Sequence, residues 1–353
     1  MYELNAKIRD LEPYAPLEGD YAIRLDANES FLALPDALRE KAVQAMLSAD
    51  FNRYPDPKAG ALCAAFAQRY RVPVENVAAG NGSDELISVI FQSFLQKGDA
   101  YAVIEPDFSM YKFYGYIAEC RGITLEKDKN WKIDVDKVIE TCNNEKVKLL
   151  IFSNPCNPTS LGLDREAVRR LLCGVSALVV LDEAYMDFWD QSMLGEFEKY
   201  DNLLILKTCS KAFGLAALRV GFAVGQEKLI RAIKAVKSPY NVNTLSQKMA
   251  ETVLLAEDEC SAAFAAILQS KAALQKDLDA LAARFPEKLQ TIPSVTNFVV
   301  VKTPFAEKLF RTLLEQSIAV RYFGKMSALR ITAGTPAENA AVIKAITAFF
   351  ENN

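Results

Sequence analysis

Histidine is absent from all 353 residues of the sequence. Without imidazole side chains, the chain has no histidine general base, no triad of the serine-protease type and few ways to bind zinc. We therefore expect no metal site. Any catalysis must use lysine, acidic, tyrosine or arginine side chains, or a bound cofactor.

The sequence also lacks the features of nucleic-acid-binding, secreted and membrane proteins. It has no block of basic residues, its net charge is −4, and no apolar run reaches the roughly 18 residues that a membrane span needs. The N-terminus has no apolar signal core, and the seven cysteines never occur as C-x-x-C. We expect a cytoplasmic protein with reduced cysteines and neither a nucleic-acid nor a membrane partner.

The sequence does contain a regular alternation of strand and helix signals. Short apolar runs bounded by charge, glycine or proline predict strands at 101–104, 147–152, 177–181, 203–206 and 219–224. Helical patterns lie between several of them, at 84–96, 109–118 and 165–172. Because this order is typical of βαβ units, we predict an α/β protein whose mostly parallel sheet is flanked by helices.

A smaller α/β domain is predicted at the C-terminus. Residues 244–285 are rich in alanine and leucine and contain no glycine or proline, which predicts a long helix, bent or broken once. Strand and helix signals alternate again from 294 to 350. We therefore divide the chain into an N-terminal segment associated with the small domain, a large domain, and a connecting helix with the small domain itself, at 1–30, 31–243 and 244–353.

Polar clusters follow several predicted strands, where open α/β sheets bind their ligands. In the first, 78–87, a glycine turn precedes Ser83 and Asp84 at a helix start, which suits an anion such as phosphate and equally a simple helix cap. In the second, 151–162, two Asn-Pro steps direct the amide of Asn157 toward a ligand or form only a turn.

Two further clusters contribute charged groups. Asp182 ends an apolar strand, and a semi-buried carboxylate there needs a cation, either a protonated pyridine nitrogen or an ordinary lysine or arginine. Thr208, Ser210 and Arg219 offer two hydroxyls and a guanidinium that suit a phosphate. Lys211 among them is a candidate for covalent chemistry, and the competing interpretation is a solvated lysine in a polar loop.

Taken in order, three segments resemble the fold-type I aminotransferases that depend on pyridoxal 5′-phosphate (PLP). They are SNPCNPTS (153–160), DEAY (182–185) and SKAFGLAALRVG (210–221). Within that family, LDANES (25–30), FNRYPDP (51–57), GNGSDELI (80–87) and LRITAGT (329–335) resemble the histidinol-phosphate aminotransferases. Two departures are Ser160 in place of the usual glycine and Phe108 where tyrosine is common. Neither removes a group that the chemistry requires.

The resemblance implies roles for individual residues. Lys211 would bind the cofactor covalently, Asp182 would keep its ring nitrogen protonated, and Tyr185 with Asn157 would contact its phenolic oxygen. Phe108 would stack on the ring. The other cofactor-binding residues that the resemblance implies are Gly82, Ser83, Asp84, Thr208, Ser210, Arg219 and, from the neighbouring subunit of a homodimer, Tyr54.

The implied reaction moves an amino group between histidinol phosphate and 2-oxoglutarate by a ping-pong mechanism, giving imidazole-acetol phosphate and glutamate in histidine biosynthesis. Arg330 would bind the carboxylate or phosphate of the substrate, and Glu29 would contact the imidazole. The full set of substrate-binding residues that the resemblance implies is Tyr21, Asn28, Glu29, Arg321 and Arg330.

Three other functions compete with this interpretation, two of them enzymatic. An aromatic-amino-acid aminotransferase and a phosphothreonine decarboxylase-like lyase share the fold, and the sequence separates them poorly because substrate orientation selects the bond that breaks. A non-catalytic, aminotransferase-like regulatory protein is disfavoured because Lys211 and Asp182 are present. The length and acidic charge also leave no room for a DNA-binding module.

Overall fold

A computed structural model gives the structure of the chain and describes residues 2–9, 11–13 and 15–352. The strands are β1 (Ile23–Arg24), β2 (Val77–Gly80), β3 (Ala100–Glu105), β4 (Arg121–Glu126), β5 (Leu149–Ser153), β6 (Leu178–Asp182), β7 (Leu203–Thr208), β8 (Gly221–Gly225), β9 (Gln290–Ile292), β10 (Phe298–Lys302), β11 (Ile318–Ala319), β12 (Arg321–Phe323) and β13 (Ala328–Thr332). The α-helices are α1 (Ala6–Arg9), α2 (Asp36–Leu47), α3 (Gly60–Tyr70), α4 (Gly82–Phe94), α5 (Met110–Ile117), α6 (Val135–Asn144), α7 (Arg165–Gly174), α8 (Glu227–Val236), α9 (Thr244–Leu254), α10 (Glu257–Arg284), α11 (Ala306–Glu315) and α12 (Pro336–Glu351).

The larger sheet has seven strands in the order β2-β8-β7-β6-β5-β3-β4. Only β8 runs antiparallel to its neighbours, so the predicted mostly parallel α/β sheet is confirmed. The carboxyl ends of β2, β3, β5, β6 and β7 consequently lie at one edge, together with the start of β8. This topology brings together the polar clusters that follow those strands.

Burial explains which strands the sequence predicts well. Every residue of β5, β7 and β8 is buried, and these strands read as continuous apolar runs. Two strands of the sheet were not predicted. The sequence of β2, VAAG, has little β propensity. In contrast, β4 lies at the sheet edge and leaves most of its residues exposed or half-buried.

Helix α4 shows how the sheet is covered on one face. Its buried residues recur at helical spacing and pack beside the strands. They are Gly82, Leu86, Ile87, Ile90 and Phe91. Because this helix is fixed on the sheet, its N-terminus is held at the end of β2, where the first polar cluster lies.

The predicted long helix at 244–285 is broken once, at Leu255 and Ala256, into α9 and α10. Asn243 caps α9 by accepting a hydrogen bond from the Ser246 N–H. Helix α10 contributes Cys260 to the larger hydrophobic core and Leu274 to the smaller one. It therefore packs against both parts of the molecule.

The C-terminal part contains the antiparallel sheet β12-β13-β10-β9, with the smaller core beside it. Strand β1 pairs in parallel with β11, with Ile23 opposite Ile318, so the N-terminal segment joins this part. The division at 30 and 243 stays a prediction. Among the described residues no helix is both long and apolar enough to cross a bilayer. All seven cysteines are free.

Candidate active site

Lys211 lies in the turn that follows β7, at the sheet edge described above. Its Nζ donates a hydrogen bond to the Ala27 carbonyl at 3.0 Å and lies 5.9 Å from the centroid of the Tyr185 ring. Removal of the amine from water lowers the pKa of Lys211 to about 8, and the positive charges of Arg330 and Arg219 act in the same direction. The amine is therefore easier to deprotonate than an ordinary lysine.

Asp182 ends β6 and is buried. Its carboxylate accepts hydrogen bonds from the Tyr111 hydroxyl at 2.8 Å and from the Ala184 N–H at 3.1 Å. Burial raises the pKa of Asp182 to about 6 despite these donors. The sequence predicted a cation beside this carboxylate, but none of the described residues forms an ion pair with it. A protonated ring nitrogen would supply the positive charge that the Asp182 carboxylate requires.

Tyr185 is the common neighbour of the lysine and the aspartate. Lys211 lies over its ring, and Asp182 is close enough to contribute to the raised pKa of the phenol, which burial dominates. The Tyr185 hydroxyl accepts a hydrogen bond from Asn28 Nδ2 at 2.8 Å. The three residues predicted to be catalytic are thus brought together at one place.

A set of hydroxyl and guanidinium groups forms an anion cradle beside Lys211. Thr208 Oγ1 donates to Ser210 Oγ at 3.0 Å, and Arg219 Nη1 donates to the same Ser210 oxygen at 3.3 Å. Gly82 has a φ of +83°, and a Cβ added there would lie 2.8 Å from Arg219 Nη2. A Cβ on Gly221 would lie 2.3 Å from the Ser83 nitrogen. Only glycine leaves this cradle open, which fits a phosphate.

Ser83 and Asp84 occupy the first turn of α4, as the sequence predicted. Asp84 Oδ2 accepts a hydrogen bond from the Tyr114 hydroxyl at 2.9 Å. The other carboxylate oxygen is buried and has no hydrogen-bond partner among the described residues. Burial is the main cause of the raised pKa of Asp182, and the negative charge of Asp84 also raises it, whereas the hydrogen bonds to Asp182 lower it.

Arg330 links the smaller sheet to the site. Its Nη1 donates to Asn157 Oδ1, and its Nη2 donates to the Asp26 carbonyl at 2.5 Å. Arg321 lies directly opposite Arg330 on the neighbouring strand β12. Like charges at opposed positions are unfavourable unless an anion lies between them, so this pair forms a local anion-attracting surface.

The remaining predicted substrate residues lie on the N-terminal segment. Asn28 is buried and uses its amide within the protein, because Oδ1 accepts from Thr332 Oγ1 at 3.1 Å while Nδ2 binds Tyr185. Glu29 is exposed and counters the lowering of the Lys211 pKa. Tyr21 contacts its own segment, donating to the Glu18 carbonyl at 3.1 Å.

Two aromatic residues of the predicted set differ in how close they come to the cluster. Phe108 packs edge-on against Tyr111, the residue bound to Asp182, with 5.5 Å between ring centroids. Tyr54 is 81% exposed and stacks on Tyr240 at 4.5 Å. A single chain therefore leaves Tyr54 outside the cluster.

The sequence did not single out Tyr111 or Thr332. Tyr111 binds a carboxylate that lies 71 positions away in the chain. Thr332 likewise binds Asn28 over 304 positions. No spacing pattern in a single sequence reveals such contacts, although Tyr111 follows Phe108 by one helical turn in the segment after β3.

The family model described as "Aminotransferase class I and II" matches residues 21–346. The chain belongs to this family. The aminotransferase is 39% identical over 334 residues to the histidinol-phosphate aminotransferase of Clostridium kluyveri, which covers 94% of each chain. It is 37% identical over 342 residues to the enzyme of that name from Clostridium novyi, covering 96% of this chain and 95% of the other.

A solved structure has the same fold as this aminotransferase. It is the histidinol-phosphate aminotransferase from Sinorhizobium meliloti in complex with pyridoxal-5′-phosphate. The TM-score is 0.87 at 22% identity, and the match covers 99% of each chain. This likeness supports the fold of the aminotransferase.

The lowered pKa of Lys211 predicts its reactivity. In cofactor-free protein, labelling of Lys211 by an amine-reactive reagent is expected to reach half its maximal rate near pH 8. Arg330→Met removes a neighbouring positive charge, so it should move that midpoint to higher pH. Peptide mass spectrometry across a pH series measures both.

Arg284→Met is the matched control, since Arg284 pairs with Glu351 at the surface and should leave the midpoint unchanged. A wild-type midpoint at about 10.4, the value for an ordinary lysine, would contradict the described environment.

Proposed function

We propose that this aminotransferase depends on PLP and interconverts histidinol phosphate and 2-oxoglutarate with imidazole-acetol phosphate and glutamate, a step of histidine biosynthesis. The observation that carries the cofactor assignment is the pairing of a lysine whose pKa is about 8 with a buried aspartate that has no cation partner among the described residues, both beside Tyr185. The substrate assignment is supported by the relatives of that name.

The residues present fit the cofactor at each of its charged groups. Asp182 would hold a proton on the ring nitrogen, where its carboxylate gains the positive partner that burial demands. Thr208, Ser210 and Arg219 would bind the phosphate, together with the backbone at Gly82 and Ser83 and the first turn of α4 at Asp84. When bound, PLP supplies an aldehyde for the lysine amine and an electron-withdrawing ring.

Lys211 would have two successive duties. Its Nζ would bind the cofactor covalently, and once released it would take a proton from the substrate Cα and deliver that proton to the cofactor's aldehyde carbon. An amine with a pKa near 8 is suited to both because a substantial fraction is uncharged close to neutral pH.

Four residues would position the ring of the cofactor. The amide of Asn157 and the hydroxyl of Tyr185 would bind the phenolic oxygen, and Asn28 would fix the direction of that hydroxyl through its bond of 2.8 Å. Phe108 would cover one ring face, an aromatic contact of roughly 0.5–1.5 kcal/mol.

Arg330 and Arg321 would recognise the anionic groups of both substrates. A guanidinium binds a carboxylate or a phosphate with two parallel hydrogen bonds, so one site can accept glutamate in one half-reaction and a phosphorylated amine in the other. Glu29, which is exposed near Lys211, would accept from the imidazole, and Tyr21 would also contact the substrate.

We further propose a cytoplasmic homodimer. Free cysteines are typical of a reducing compartment. Tyr54 and Tyr240 form a stacked and exposed aromatic patch, with exposed fractions of 81% and 47%, and Phe51, three positions before Tyr54 in the chain, is 75% exposed. Such a patch is typical of a protein interface, and a second subunit placed there would bring Tyr54 to the phosphate of its neighbour.

A half-reaction assay tests the substrate. The PLP-loaded protein is mixed with histidinol phosphate, phenylalanine or phosphothreonine, and the bleaching of its visible band is followed. We expect histidinol phosphate to have the highest ratio of rate to half-saturating concentration, because it alone combines the imidazole with the phosphate. A preference for phenylalanine, or carbon dioxide release from phosphothreonine, would identify the aromatic aminotransferase or the lyase instead.

Mixed dimers test the shared site. Lys211→Ala and Tyr54→Ala are each expected to be weak alone, since one lacks the reactive amine and the other the partner's phosphate contact. After unfolding and refolding together, about half of the dimers are mixed and hold one complete site of two, so activity should recover to about a quarter of wild type. Separately refolded proteins are the control. Absence of any recovery would place Tyr54 in its own subunit's site or outside the site.

A further inference from the structure

Asp107 follows β3 at the sheet edge where the candidate active site lies, and it has no role in the proposed reaction. Its partly buried carboxylate accepts the Ser153 N–H at 3.0 Å on Oδ2, and the Ser153 hydroxyl and the Phe108 N–H, the latter at 2.7 Å, on Oδ1. Burial raises the pKa of Asp107, while the charge of Lys127 and the donors from Ser153 lower it. One carboxylate therefore receives both donors of a single serine.

Ser153 connects this carboxylate to the residues proposed to bind the cofactor. It is the last residue of β5, it lies opposite Asp182 on β6, and it is buried. Its Oγ also accepts the Asn157 N–H at 3.2 Å. The main chain of Asn157 is thus fixed by an oxygen whose proton points to Asp107.

The Asn157 side chain continues the same path. Its Oδ1 accepts from Arg330 Nη1, whereas its Nδ2 forms no hydrogen bond to the described residues. Because the oxygen of the amide is turned toward Arg330, its N–H groups point elsewhere and are available to a ligand. A continuous series of hydrogen bonds therefore runs from Asp107 through Ser153 and Asn157 to Arg330.

We infer that Asp107 is a positioning residue of the transamination site, which orients the Asn157 amide through Ser153. This inference rests on the proposed function of Asn157 as a donor to the cofactor's phenolic oxygen. A carboxylate accepts hydrogen bonds and donates none, so it forces both Ser153 donors toward itself and leaves the lone pairs of Oγ to Asn157. An amide at position 107 presents an NH2 group and can reverse that direction.

A direct charge effect on Asp182 is the alternative, because Asp107 also contributes to the raised pKa of that carboxylate. The two explanations differ in whether the effect of Asp107 depends on Ser153. Positioning requires the Ser153 hydroxyl, whereas a charge effect does not. Ser153→Ala removes the hydroxyl and leaves the charge at 107, so it separates the two.

The experiment uses the PLP-loaded protein with Asp107→Asn, Ser153→Ala and the double variant. The first readout is the pH midpoint at which the visible absorbance band changes. If Asn157 is misplaced, it stabilises the ionised phenolic oxygen of the cofactor less. The proton next to that oxygen is then held more tightly, so we expect both single variants to raise the midpoint pH. The double variant should raise it no further than the larger single effect, as expected for two members of one path.

The second readout separates kcat from KM for glutamate. We expect kcat to fall by up to about 100-fold, the cost of a misplacement of about 1 Å, with a smaller change in KM because Arg330 keeps its bond to Asp26. Additive effects of the two substitutions, or a Ser153→Ala midpoint equal to wild type, would overturn the inference.

Glu183→Gln is the matched control. Glu183 is a buried carboxylate that likewise accepts from a serine hydroxyl and a backbone N–H, those of Ser192 at 2.6 Å and Met193 at 2.8 Å. It is not connected to Asn157, so its substitution should lower the thermal midpoint of unfolding without moving the absorbance midpoint. An equal absorbance shift would indicate general loosening and contradict the inference.

PLP binding by the wild-type protein separates a failure of the proposed function from a failure of the role of Asp107. Wild-type protein that binds no PLP contradicts the proposed function. Wild-type protein that binds PLP and titrates, with variants that titrate identically, contradicts only the role of Asp107.

Discussion

Burial of the Asp182 carboxylate at the end of β6 imposes a charge requirement on the whole site. Taking a carboxylate out of water is costly, and Tyr111 and the Ala184 N–H offset that cost only in part, since the pKa of Asp182 is still raised to about 6. A ligand that brings a positive nitrogen satisfies the requirement. Lys211, which lies over the Tyr185 ring, faces the opposite requirement, because its surroundings favour the uncharged amine.

The sheet explains how these groups meet. Strands β5, β6 and β7 are parallel, so the residues at their carboxyl ends, Ser153, Asp182 and Thr208, lie at one edge of the sheet. Strand β8 runs in the opposite direction, which places Arg219, just before its start, at the same edge. Arg330 arrives separately, from the smaller sheet, and joins the edge through Asn157. The site therefore depends on both parts of the chain. Hydrogen bonds connect the two parts directly.

Much of this arrangement could be predicted from the sequence because it depends on local pattern. Continuous apolar runs marked the buried strands, and the polar residues after them marked the edge. What could not be predicted depends on contacts distant in the chain. The bonds of Asp182 to Tyr111, of Asn28 to Tyr185 and Thr332, and of Arg330 to Asn157 each join segments far apart in the sequence. Two cations were considered for Asp182, and of these a lysine or arginine side chain is not found beside it among the described residues. The other, a protonated ring nitrogen, belongs to no residue of the chain.

In the proposed function, the amine of Lys211 holds the cofactor and the carboxylate of Asp182 lies at its ring nitrogen. Borohydride treatment of the PLP-loaded protein, followed by peptide mass spectrometry, fixes the cofactor to whichever amine holds it. We expect the added mass on the peptide that contains Lys211, and its loss from that peptide when excess glutamate is added before the borohydride. Added mass on a different lysine, or none on the Lys211 peptide, would contradict it.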